Sequence, residues 1–217
     1  MTDELELAPA PGFIEPRVKA EFPGLVLAWL TIELRSRASP HWVKQRLRAL
    51  SDRVGGAGVV AMRTQPIPHA YRAFFRQIGL DPDRNRIPSE EAAVVRLMHG
   101  GFRSTDLLAD SLLIALVETG VPVWAIDREC VDAGGLGVRT TTDGERFGSI
   151  SQALPSGRLA VADASKLHAL LFGPIAPGHE PGPRTAEVAL FAVGVEGVPA
   201  IHIEEALWIC GDLLRSV

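Results

Sequence analysis

The sequence predicts an α+β fold, a mixed or antiparallel sheet core flanked by helices. Three observations carry that expectation. Between residues 40 and 119, apolar side chains recur mostly at three- and four-residue spacing, as a helix burying one face requires. After Asp127 they come instead in short extended runs broken by Gly, Pro and Asp turns. The chain then closes on one more amphipathic stretch, so helices and strands are largely segregated along it.

Taken in order, residues 1–20 read as a flexible tail: the opening is rich in Pro and acid and lacks the basic start and apolar block of a secretory signal. Residues 21–217 read as one domain. Leu25 to Leu34 is an apolar strand, and Pro40 to Leu50 a helix. Gly55-Gly56-Ala57-Gly58 is a plain turn, because it lacks the lysine and Ser/Thr of a phosphate loop, and Val59 to Met62 is expected as a short strand behind it. His69 to Ile78 carries Ala70, Tyr71, Phe74, Phe75 and Ile78 at helical spacing. Ser89 is expected to cap a helix from Glu90 to His99, whose two leading acids suit the helix dipole. Leu108, Leu112, Ala115 and Leu116 mark the next helix, stopped at Gly120 and followed by an extended Pro122 to Asp127 run. Strands are then expected at Leu136 to Thr142, Leu159 to Ala162 and Glu187 to Val195, with an Asp143-Gly144 turn and a Gly/Pro loop from Gly173 to Pro183. A helix from His202 to Leu214 places Ile203, Leu207, Cys210 and Leu214 on one stripe.

Composition narrows the function classes. No apolar run is long enough to cross a bilayer. Cys130 and Cys210 lie far apart without a Cys-x-x-Cys partner, so reduced thiols in a cytoplasm are expected, with no metal site and no cofactor. The net charge of −4 is opposite to the basic footprint of a domain that holds nucleic acid by its overall charge. Contact with tRNA would need a local patch. Arg35, Arg37, Lys44, Arg46, Arg48 and Arg53 supply candidates, among which Lys44 and Arg48 share a helix face and Arg72 and Arg76 repeat that spacing.

The run from Gly101 to Asp127 carries Gly101, Arg103, Ser104, Asp106, Asp110, Glu118, Gly120, Pro122, Ala125 and Asp127 in an order that resembles the B3/B4 domain of the phenylalanyl-tRNA synthetase β subunit. Further segments extend the likeness over roughly residues 66–172: Tyr71-Arg72, Gly79-Leu80-Asp81-Pro82 and Arg86-Ile87-Pro88-Ser89-Glu90-Glu91 upstream, then Gly135 to Phe147 and Leu159 to Asp163 downstream. Free-standing members of that family are short chains. The resemblance implies a B3/B4-like fold and hydrolysis of an amino acid wrongly attached to tRNA.

The family's pocket uses a Thr-Asn pair, a histidine after a proline and a later glutamate. The matching positions here are Leu112 and Leu113, Trp124 after Pro122, and Phe191. Two leucines cannot hydrogen-bond, and an indole cannot take up a proton at neutral pH. Trp124 could stack a ring or fill the pocket itself. Asp127 is expected to order the next turn through backbone N–H groups. Ser165, His168 and Glu180 are the remaining polar candidates, with His168 and Glu180 the expected catalytic pair and His179 beside Glu180 in the Gly/Pro loop. Three functions follow: a free-standing aminoacyl-tRNA deacylase, a non-catalytic module binding tRNA or a small aromatic ligand, and an enzyme on an unrelated metabolite.

Overall fold

The computed structural model describes residues 8–35, 37–55, 58 and 61–216, with backbone alone at 150–152. The fold is α+β, built on two four-stranded sheets and a two-stranded hairpin. In the first sheet β1 (Ala10–Pro11), β3 (Val26–Glu33), β10 (Glu187–Gly194) and β4 (Val123–Asp127) lie side by side in that order, every pair antiparallel. In the second, β2 (Phe13–Ile14) runs parallel to β5 (Gly137–Thr140), and β8 (Leu159–Ala162) and β9 (Leu167–Leu170) follow antiparallel. Strands β6 (Arg146–Phe147) and β7 (Ile150–Ala153) form the hairpin.

Strand β10 explains the layering. It is apolar at every position from Val188 to Val193 because both its faces are covered, and period-two alternation divides those residues between two cores. Val188, Leu190 and Ala192 face the helices α2 (His41–Arg53), α5 (Leu107–Thr119) and α6 (Ala200–Arg215). Ala189, Phe191 and Val193 face the opposite way, toward Val18 of α1 (Pro16–Glu21), Tyr71, Phe74 and Phe75 of α3 (Pro66–Gln77), and Val138 and Val161 of the second sheet. Burial of a side chain such as Phe191, 1% exposed, contributes about 1.5–3 kcal/mol. Tyr71 brings a polar group into this second core and satisfies it by donating its hydroxyl to the Val193 carbonyl at 2.9 Å.

Helix ends follow local chemistry. Asp106 caps α5 by accepting from the Ala109 N–H at 2.9 Å, and Gly120 ends it with φ 75°, a left-handed conformation that glycine adopts without a Cβ penalty. Helix α4 (Pro88–His99) starts differently from expectation. Pro88, not Glu90, opens it behind Ile87, so Ser89 lies inside the first turn and caps nothing. Glu90 in that turn is buried and takes Arg72 of α3 at 2.8 Å, fastening the two helices.

Other expectations change as well. The tail reading of residues 1–20 fails over residues 10–20. Ala10–Pro11 pairs with β3, Phe13–Ile14 with β5, and Val18 is 2% exposed; residues 1–7 lie outside the described part. Gly12 makes the crossover between the sheets, where a Cβ would meet the Leu136 carbonyl oxygen at 2.5 Å. Of the strand expected at Val59 to Met62, Ala61 and Met62 are helical, while Val59 and Val60 lie outside the described residues, as do Gly56 and Ala57 of the preceding turn. Among the described residues no helix is long and apolar enough to cross a membrane.

Candidate functional site

Three polar side chains line up where the end of β8, strand β9 and the Gly/Pro loop meet. Asp163 follows β8 and closes a tight turn on its own backbone. Its Oδ1 accepts from the Ser165 N–H at 2.8 Å, the Ser165 hydroxyl at 2.9 Å and the Lys166 N–H at 2.8 Å, the local pattern short acidic side chains favour. Its Oδ2 accepts from the Asp132 N–H at 3.0 Å and meets His168 Nε2 at 2.8 Å. Burial pushes this carboxyl's pKa upward, but the hydrogen bonds from Asp132, His168, Ser165 and Lys166 win and hold it well below the usual carboxylate range.

His168 on β9 is fully buried, and its Nδ1 lies 3.0 Å from Nδ1 of His179. The loop returns to this point because Ala176 donates to the His168 carbonyl at 2.7 Å, Leu170 to Pro174 at 3.1 Å and Asp127 to the His179 carbonyl at 2.9 Å. Phe172 turns the chain with φ 55°, a region costly for a residue with a Cβ. Its ring is held edge-on or tilted by Tyr71, Phe74, Phe75 and Trp124 at centroid distances of 5.5 to 5.8 Å.

The direction of these hydrogen bonds sets the proton positions. An ionised Asp163 only accepts, so His168 Nε2 carries a hydrogen and donates it. Burial, only partly opposed by Asp163, lowers the His168 pKa and keeps the ring neutral, which leaves its Nδ1 as an acceptor. His179 must then donate from Nδ1, and its Nε2 holds a lone pair. That nitrogen has no hydrogen-bond partner among the described residues, and it is reachable from solvent. Burial first, then His168 and Lys166, lower the His179 pKa too, so the lone pair persists into mildly acidic solution.

Such a chain can move a proton inward. When His179 Nε2 takes a proton, its Nδ1 hydrogen can pass to His168 Nδ1, and the positive charge then rests against the Asp163 carboxylate. This assigns the base role to His179, with His168 behind it. The expectation that His168 itself meets substrate is corrected by its burial and by its two occupied nitrogens. Glu180 is next to His179 but exposed, and its Oε2 accepts from the Gly178 N–H at 2.8 Å, bracing the loop. Ser165 is spent on Asp163. Both cysteines are free, and burial first and Asp127 second raise the Cys130 thiol, which points at the Gly178 carbonyl. Asp127 does order the next turn, accepting from the Glu129 N–H at 3.1 Å. No group of three or more His, Cys, Asp or Glu able to hold a metal occurs among the described residues.

The pocket expected from Leu112, Leu113, Trp124 and Phe191 is not brought together. Leu112 and Leu113 pack with the helical core on one face of the first sheet. Trp124 and Phe191, paired across β4 and β10, belong to the other face, where their rings stack at 5.5 Å. Trp124 therefore fills space among Phe172 and Phe191, and Pro122 is buried at the entry to β4. Of the basic residues, Lys44 and Arg48 on α2 and Arg76 on α3 are exposed. Arg72 is not available to nucleic acid: it is 6% exposed and binds Glu90 and Asp83. Helix α2 packs into the first core and α3 mainly into the second, with Ile67 touching both, and the burial of Arg72 leaves Arg76 as the one exposed member of the second basic pair. Arg46 is tied to Glu118, and Arg37 to the Thr185 carbonyl. No protein-family model matches the chain, and no curated protein matches it significantly.

Proposed function

We propose that the protein is an ester hydrolase of the B3/B4 type that removes a wrongly attached amino acid from tRNA, with His179 as its general base. The observation that carries this reading is the Asp163–His168–His179 chain ending in an unprotonated, accessible Nε2. An aminoacyl ester is already activated, so a water deprotonated by His179 needs no protein nucleophile. Lys166, exposed and close enough to depress both imidazole pKa values, brings positive charge for the oxyanion that forms as water adds. The tRNA is held by few phosphate contacts, with Lys44, Arg48 and Arg76 as candidates, and such a complex is salt-sensitive. A tRNA substrate places the protein in the cytoplasm.

The test is release of amino acid from a panel of mischarged tRNAs. Wild-type protein releases at least one amino acid, and His179→Ala slows that release by about 10²- to 10⁴-fold, the usual worth of a general base. Salt-sensitive tRNA retention without release would replace the enzyme by a binding module. Release that His179→Ala leaves unchanged would remove the relay from the reaction.

A further inference from the structure

The relay draws on both sheets. Asp163 follows β8 and His168 lies on β9, both in the second sheet, whereas His179 hangs from the first by a turn that closes at both ends on one residue, Asp127. Asp127 is the last residue of β4 and pairs with Val188 of β10, so the sheet fixes its backbone. Its N–H donates to the His179 carbonyl at 2.9 Å, and its Oδ2 accepts from the Thr185 hydroxyl. Between those two points Gly182 is flanked by Pro181 and Pro183, which have no N–H, so the turn has few hydrogen bonds of its own to make.

Thr185, which is buried, supplies what the prolines withhold. Gly182 donates its N–H to the Thr185 Oγ1 at 2.9 Å, and the Thr185 N–H returns to the Gly182 carbonyl at 3.1 Å. An N–H can only donate, so the hydroxyl oxygen accepts from Gly182 and spends its own hydrogen on Asp127. Arg37 adds a hold from outside, donating from Nη2 to the Thr185 carbonyl at 3.1 Å and to the Gly182 carbonyl. Among the described residues the His179 ring itself makes one hydrogen bond, the 3.0 Å approach of its Nδ1 to His168. A displacement of about 1 Å takes that pair out of hydrogen-bonding range, so the backbone of the turn decides whether the relay is connected.

We propose that Thr185 and Asp127 together are positioning residues for the base: they hold the His179 carbonyl and the turn behind it so that its Nδ1 meets His168 and its Nε2 keeps the lone pair. Their effect on turnover rests on the hydrolase reading; their effect on the ring does not. Thr185→Val preserves the side-chain shape and removes the hydroxyl, leaving the Gly182 N–H without its acceptor and Asp127 Oδ2 without its donor. The His179 ring then samples both tautomers, and long-range ¹H–¹⁵N correlation in the full-length protein shows its Nε2 partly protonated. For a mischarged tRNA that wild type hydrolyses, kcat falls about 10²-fold at unchanged KM, the cost of misplacing a reacting group by about 1 Å. Thr185→Ser, which keeps the hydroxyl, restores both readings. Should Thr185→Val lack the native near-ultraviolet dichroism, Arg37→Met loosens the same turn from its exposed side and shifts the His179 signals in the same direction by a smaller amount. His179 signals identical to wild type in the folded variant, whatever its Tm, would overturn the proposal, and so would a Thr185→Ser protein that behaves as Thr185→Val. Absence of release by wild type removes the hydrolase reading, and the imidazole signals still decide the positioning.

Discussion

Replacing Asp163 by Asn keeps the shape of the relay and reverses its polarity. The side-chain carbonyl can still serve Ser165 and Lys166, which converge on Oδ1 at 2.8 to 2.9 Å. The new NH2 then stands where Oδ2 meets the Asp132 N–H at 3.0 Å and His168 Nε2 at 2.8 Å. His168 can adapt by moving its hydrogen to Nδ1, so that Nε2 accepts from the amide. The Asp132 N–H cannot adapt and faces another donor, which costs about 1–3 kcal/mol. For a chain of this size each kcal/mol lowers Tm by about 2–4 °C. The tautomer change propagates: His168 Nδ1 now donates, His179 Nδ1 must accept, and His179 Nε2 becomes protonated. A nitrogen that already carries its hydrogen is no base, so ester hydrolysis falls by about 10²- to 10⁴-fold at unchanged fold. Long-range ¹H–¹⁵N correlation separates protonated from unprotonated ring nitrogens and reads this without any substrate. An unprotonated His179 Nε2 in Asp163→Asn, or an unaltered Tm, would refute the proton assignment.

Three other outcomes follow from the same geometry. Arg72→Met strands the buried Glu90 carboxylate, with only Arg63 left at 3.7 Å, and costs about 3–5 kcal/mol in urea denaturation; adding Glu90→Gln recovers part of it, and a single-variant cost below about 1 kcal/mol would contradict the pairing. His168 and His179 have lowered pKa values in the folded state, so below the ordinary histidine pKa of about 6.5 the unfolded chain binds more protons and stability falls with pH. A second fall begins below about 3.9, where unfolded Asp163 protonates and the folded one does not; a Tm independent of pH between 7.5 and 5 would exclude the first effect. At Phe172, where φ is 55°, both Gly and Ala lose the ring contacts, but Gly is at ease in this backbone region, so Phe172→Gly is more stable than Phe172→Ala by about 1 kcal/mol. Equal melting temperatures for the two would show that the backbone there is unstrained.

Residues whose role depends on near neighbours were legible in the chain. Helix α5 announces itself by its spacing and by Gly120, and β10 by an apolar run too short for a helix and too continuous for an exposed strand. Strands β1 and β2 were not legible, since two-residue strands beside Pro11 and Gly12 carry no periodicity and form only by pairing with distant residues. Strand β9 was hidden by His168, a polar residue whose burial is explained only by Asp163 and His179. The relay itself was half legible. Ser165, His168 and the His179-Glu180 pair stood out as polar groups, but which imidazole faces outward depends on a loop turned by Phe172. Arg72 and Arg76 look alike in sequence, one turn apart, and only the fold brings Asp83 and Glu90 to the first. Leu112 and Leu113 lie on α5 over one face of the first sheet while Trp124 and Phe191 point from β4 and β10 to the other, and because both faces are buried, identity of residue type did not reveal which side each one served.

The crossover at Gly12 lets five residues act as a selvedge for both sheets at once. Ala10–Pro11 shields part of the outer rim of β3, and Phe13–Ile14 does the same for β5. Proteolysis just after Ile14 would bare unpaired N–H and C=O groups on two rims in a single cut and offer each to another molecule. Self-association of the clipped protein, more than loss of its melting transition, is the damage to look for there.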